Sequence, residues 1–106
     1  MTNASNELLT PTAFAVLFAL SIKPQHGYSL AQQIEEDSLG KLHPGSGALY
    51  GCLKHLHTMY FIEEVPSETM HDRRRSYRLT KKGWDRLAEE FLYYQHIAQQ
   101  GRKRQI

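Results

Sequence analysis

One cysteine stands in the 106 residues, so no disulfide can form within the chain. Disulfide-stapled secreted scaffolds are excluded, and a reducing compartment fits. No apolar run approaches the ~20 residues that a membrane-spanning helix needs. The first residues, MTNASNELL, lack the positive region of a secretion signal, and a cytoplasmic location is expected. Catalytic and metal signatures are missing too. There is no HExxH, no CxxC and no GxSxG, and the GSG at 45–47 has no GxxxxGK[ST] context. His55 and His57 are two apart, which on a helix points them away from each other. Neither an enzyme nor a cofactor is expected. No internal repeat or low-complexity stretch occurs.

What is present is a folding composition, 41% hydrophobic with 10% aromatic residues, and a formal net charge of only +2. The length suits one domain, small enough that burying adequate apolar surface alone is difficult. The charge is unevenly placed. Residues 41–86 hold nine lysines and arginines against five acids, whereas residues 1–40 hold one against four. Such clustering is what an electrostatic footprint on nucleic acid requires.

The basic region coincides with a helix followed by a hairpin. Pro44 suits the first turn of a helix. Leu49, Cys52, Leu53 and Leu56 then recur at i, i+3, i+4 and i+7, one apolar face, with Cys52 a small buried side chain. The other face carries Ser46, Gly47, Tyr50, Lys54 and His55, with further glycines at 45 and 51. Residues 60–65 read as a strand, and Arg75, Tyr77 and Leu79 alternate with Ser76 and Arg78 as a second, across a polar loop at 66–74. A helix fits the major groove, where outward donors reach base edges. Arg73, Arg74 and Arg75 would grip phosphates or enter the adjacent minor groove. Small residues let the helix backbone approach the phosphates, although each glycine costs about 1 kcal/mol of helix stability relative to alanine. The alternative is a loosely helical surface with a solvated basic loop.

A polar lead and three more helices complete the pattern. The lead, residues 3–9, has the look of a short helix. Thr10 and Pro11 open a helix buried through Phe14, Leu17, Phe18 and Leu20, which the Lys23–Gly27 segment ends. Tyr28 to Asp37 forms the next, with Leu30, Ala31 and Ile34 inward. Tyr28 reads as a core brace between the first and third helices, or alternatively as a hydroxyl on the DNA side. Leu39 and Leu42 are expected to tuck inward from the following turn. Thr80 caps a last helix running to about Gln100, and a basic tail at 101–106 reads as frayed. Along that helix Trp84, Leu87, Phe91, Tyr94 and Ala98 form a coiled-coil seam, widened by Ala88 and Leu92. A helix of this length exceeds what one small core can cover, so a homodimer is expected.

Three blocks carry a resemblance: HGYSLAQQI at 26–34, GALYGCLKHL at 47–56 and RRRSYRLTKKG at 73–83. Together they resemble the PadR family of bacterial transcriptional regulators, in its short form with a single C-terminal dimerisation helix. The similarity spans about residues 8–92. One departure is Asp72, where the family commonly has glycine before the wing arginines. The resemblance implies a mainly α fold with a small β-hairpin. Residues 1–79 would be the winged helix-turn-helix domain and 80–106 the dimerisation helix and tail. It implies a homodimer on a double-stranded DNA operator with two half-sites, usually repressing transcription. Some family members bind flat aromatic compounds between subunits, so Trp84, Phe91 and Tyr94 are candidates to stack such an effector; otherwise Trp84 is a structural anchor. The competing class is a winged-helix protein-interaction module without direct DNA binding, for which an exposed apolar patch would be the mark.

Overall fold

A computed structural model describes residues 7–66 and 75–106. Its elements are α1 (Pro11–Leu20), β1 (Gln25–His26), α2 (Gly27–Asp37), α3 (Ser46–Thr58), β2 (Ile62–Val65), β3 (Ser76–Leu79) and α4 (Lys81–Lys103). Helix α1 starts as its sequence dictates. The Thr10 side chain accepts from the Ala13 amide at 3.2 Å, and Pro11 takes the first helical position. Val16, Leu17 and Ala19 are wholly buried, and Leu30, Ile34, Leu49, Leu53 and Leu56 from α2 and α3 close around them.

The sheet has three strands, not the two of the expected hairpin. Strand β1 pairs antiparallel with β3, placing Gln25 opposite Tyr77 and His26 opposite Ser76, in the order β1-β3-β2. A two-residue strand has no periodicity to read. It is held by burial of Gln25, whose amide donates to the Ala19 carbonyl at 2.8 Å. The β2–β3 pairing sets Ile62 opposite Leu79 and Glu64 opposite Tyr77.

Other expectations are corrected. Of the helix expected at residues 3–9, residues 3–6 lie outside the described residues, and residues 7–9 are not helical. They form a strap over α4, with the Leu9 amide donating to Glu90 Oε1 at 3.3 Å and the Arg86 guanidinium donating to the Glu7 carbonyl. Arg86 and Glu90 are themselves a buried pair, 3.3 Å apart, with side chains 9% and 3% exposed. Pro44 precedes the α3 N-cap, Gly45, instead of lying in the first turn. Leu39 is 87% exposed rather than inward, because it adopts φ +56 to terminate α2, while Leu42 does pack on the core. Tyr60 (φ +64) plays the same part after α3, so the strand begins at Ile62. There the Phe61 amide reaches back to Leu56 O at 3.0 Å and the Tyr60 amide to His57 O at 3.0 Å, the paired bonds of a Schellman ending.

Helix α4 opens on Thr80, whose side chain accepts from the Gly83 amide at 3.0 Å. Gly83 packs so closely that a Cβ there would lie 2.0 Å from the Phe61 carbonyl oxygen. The helix continues to Lys103, and the Ile106 amide closes on Gly101 O at 3.0 Å, so the tail is partly helical rather than frayed. Leu87 belongs to the core of the chain itself.

Candidate nucleic-acid interface

The outer face of α3 is built by exclusion. Its leucines are drawn into the core, so Ser46, Gly47, Tyr50, Lys54 and His55 are left exposed. At 100° per residue, Tyr50 and His55 stand about 140° apart around the helix with Lys54 between them. Gly47 and Gly51 lie on the same face, and a Cβ at either would meet nothing within 4 Å. Packing within the chain does not require them.

On its Tyr50 side, α3 borders an open groove of about 720 Å³, closed by the start of α2 and by the β2–β3 pair. Tyr50 and Lys54 line it from α3, and Arg75 does so from the base of the wing. The Tyr50 hydroxyl approaches α2 closely enough that a Cβ on Gly27 would be 2.7 Å away. Tyr28 lines the same groove and is 70% exposed, which corrects its reading as a core brace. As the second residue of α2 it points away from the face of Leu30 and Ile34. His57, Glu64 and Tyr77 also line the groove and were not singled out from sequence. His57 was legible, since it follows Tyr50 by seven residues and so shares its face. Glu64 and Tyr77 needed the strand register. Arg73 and Arg74 lie outside the described residues.

The basic count of residues 41–86 overstates the footprint. Arg78 Nε donates to Glu63 Oε2 at 2.8 Å, and Lys81 pairs with Asp85 at 3.1 Å. Lys82 donates to the Met59 carbonyl at 2.9 Å, at the C-terminus of α3, with its ammonium 5.0 Å from the centre of the Phe61 ring. Arg86 is buried against Glu90. Among the described residues, Lys54 and Arg75 are the lysine and arginine that line the groove.

The two helices bordering the groove also begin differently from the others. Threonine side chains cap α1 and α4, but α2 follows His26 and α3 follows Gly45 with no side-chain capping bond. Their first-turn amides therefore receive no acceptor from the N-cap side chain.

The remaining expected site residues lie on α4. Trp84, Phe91 and Tyr94 are 49%, 42% and 39% exposed, and Ala98 is exposed. Phe91 packs edge-on against Phe14 and Phe18 at 5.3 Å each, and Tyr94 against Phe14 at 5.3 Å. Leu92, which widens the seam, is exposed as well, and Tyr93 and Ile97 extend the exposed apolar surface beyond what was read from sequence. Removal of water pushes the Tyr94 phenol up from its ordinary pKa, with Glu90 and then Tyr93 adding to the shift. Burial raises the Cys52 thiol, the opposite of what a reactive cysteine needs. Among the described residues no cluster of metal-ligating side chains forms, and no helix is long and apolar enough to cross a membrane.

A search of curated proteins finds no match. Among solved structures, the fold is similar to a PadR family transcription regulator from hypervirulent Clostridium difficile R20291. That likeness has 23% identity and a TM-score of 0.77, covering 89% of this chain and 97% of the other. It is also similar to a transcriptional regulator from Clostridium thermocellum, at 18% identity and TM-score 0.73 over 87% of each chain. RosR of H. salinarum matches at 24% identity and TM-score 0.67, over 81% of this chain and 74% of RosR. At such identities these likenesses speak for the fold. The model of the transcriptional regulator PadR-like family matches residues 16–89, from within α1 to the middle of α4. The chain belongs to the PadR-like family of transcriptional regulators, which are not enzymes.

Proposed function

We propose that this regulator is a cytoplasmic homodimer that binds a DNA operator with two half-sites and represses transcription. The observation that carries the reading is the outer face of α3. Its polar side chains are exposed, Gly47 and Gly51 face open space, and it borders a groove holding Lys54 and Arg75. A face shaped in this way suits the major groove, with Tyr50, Lys54 and His55 towards base edges and Ser46 and Gly47 at the approach. Arg75, and Arg73 and Arg74 by charge, serve phosphates. The exposed apolar length of α4, including Trp84, Phe91, Tyr94 and Ala98, is the surface a second copy covers. Leu87 supports that surface from within each protomer. In this division residues 1–79 read DNA and residues 80–106 pair the subunits, although α4 also completes the core of the reading unit. A planar aromatic effector would stack on Trp84, Phe91 and Tyr94 between subunits, quenching Trp84 fluorescence.

The test is fluorescence anisotropy on operator and scrambled duplexes at several salt concentrations, the operator first located by footprinting upstream of the coding region. Tyr50→Ala should lower the ratio of specific to random binding, by ~1–3 kcal/mol if it contacts a base. Arg75→Ala should weaken both duplexes alike and flatten the salt dependence. Phe91→Asp should convert a sedimenting dimer to monomer. Salt-independent or absent binding to every duplex would return the chain to the class of protein-docking winged helices.

A further inference from the structure

We propose that Glu64 is a counter-charge built into the DNA-facing groove, competing with phosphate for Arg75 and so limiting affinity for every duplex. The proposal rests on the DNA-binding reading above. Alternation along the paired strands separates two similar ion pairs. Glu64 lies opposite Tyr77, and both line the groove. Glu63 lies opposite Arg78, and neither lines it. Arg75, two residues before Tyr77, turns to the groove side, where its Nε sits 3.4 Å from Glu64 Oε1. Glu64 is the one carboxylate among the described residues lining the groove, against the cations of Lys54 and Arg75.

An ion pair exposed to this degree, 77% for Arg75 and 47% for Glu64, contributes little to the fold. Its consequence is felt when a phosphate arrives. Arg75 must exchange a carboxylate already in place for a phosphate oxygen, and the displaced carboxylate then remains beside the DNA backbone with like charge. The arginine thus releases fewer counterions than a free one would. A regulator that must leave random sequence to find its operator benefits from such restraint, because unspecific affinity is almost wholly electrostatic.

The experiment compares Glu64→Gln with Glu63→Gln, which removes the same charge from the same strand on the opposite face. Binding of the full chain to operator and scrambled duplexes is followed by anisotropy across salt, with thermal melts to confirm folding. Glu64→Gln should tighten both duplexes, by roughly five- to tenfold per subunit contact near 0.1 M salt, and steepen the salt slope by about 0.9 per subunit. The ratio between the duplexes should hold. Glu63→Gln should stay near the unmodified protein, and adding Arg75→Ala to Glu64→Gln should abolish the gain. Weaker binding by Glu64→Gln would mean that the carboxylate positions Arg75 for DNA, and would overturn the proposal. An equal gain from Glu63→Gln would also overturn it, reducing the effect to net charge. If the unmodified protein and both variants all fail to bind DNA, the parent reading falls and takes this inference with it.

Discussion

Two pairs of helices in this chain begin in opposite ways. Helices α1 and α4 start on threonines whose side chains accept from Ala13 and Gly83 amides. Helices α2 and α3 start on His26 and Gly45 with no such bond. A side-chain cap is worth about 1 kcal/mol, and a glycine N-cap forgoes only a few tenths of that. Omitting side-chain caps from both helices beside the groove is therefore a small sacrifice of stability. It leaves amide donors and the positive end of each helix dipole without an acidic or hydroxyl partner. Glycines repeat the contrast. Gly83 is required by close packing between α4 and Phe61, whereas Gly47 and Gly51 face open space. Packing within the chain accounts for Gly83 and gives Gly47 and Gly51 no such role, as the proposed DNA-binding face of α3 would require.

The contrast breaks most violently at Gly83. Gly83→Ala puts a methyl 2.0 Å from a backbone oxygen, which flexible side chains cannot relieve. We expect a loss on the order of 4 kcal/mol, read as a collapse of the melting temperature or failure to fold. Gly51→Ala on the reading face should instead raise helix stability by about 1 kcal/mol while weakening operator binding. A stabilised variant with undiminished DNA affinity would show that the bare face is incidental.

Next in size is the strap. Glu90→Ala removes the carboxylate paired with buried Arg86 and the acceptor of the Leu9 amide, for an expected cost of about 3 kcal/mol in chemical denaturation. Its effect on DNA affinity, measured where the variant is still folded, should be small.

Caps provide a test of sign. Thr80→Ala should destabilise by about 1 kcal/mol without altering the operator-to-random ratio. Gly45→Asp should do the reverse, adding a few tenths of a kcal/mol while repelling phosphate and lowering affinity for all DNA. Equal behaviour of the two variants would dissolve the distinction between framework and reading helices. The smallest effect belongs to Leu39. Its exposed side chain at φ +56 is strained by about 1 kcal/mol relative to glycine, partly offset by glycine's freedom in the unfolded chain. Leu39→Gly should raise the melting temperature by a few degrees at most and leave DNA binding alone.

Periodicity and local chemistry determined much of this molecule without its structure. The leucines of α3 recur every three or four residues, so the chain alone says which face is buried and leaves Tyr50 and Lys54 outside. Thr10–Pro11 and Thr80 mark helix starts because capping involves only neighbours in sequence. The same locality explains what could not be read. Strand β1 is two residues long and exists because Gln25 reaches the end of α1 and Tyr77 lies alongside. Tyr28 reads as a core brace by its aromatic bulk, although helical spacing already sets it away from Leu30 and Ile34; that Tyr50 and the hairpin stand across a groove from it needed the packed chain. Above all, charge is visible in sequence but its use is not. Lys82 ends on the Met59 carbonyl at the C-cap of α3, Arg86 is buried with Glu90, Arg78 pairs with Glu63, and Arg75 faces the groove with Glu64 beside it. Which cations remain available to a polyanion depends on partners as far away in the chain as the Glu7 carbonyl is from Arg86, 79 residues, and only the packed chain brings those partners together.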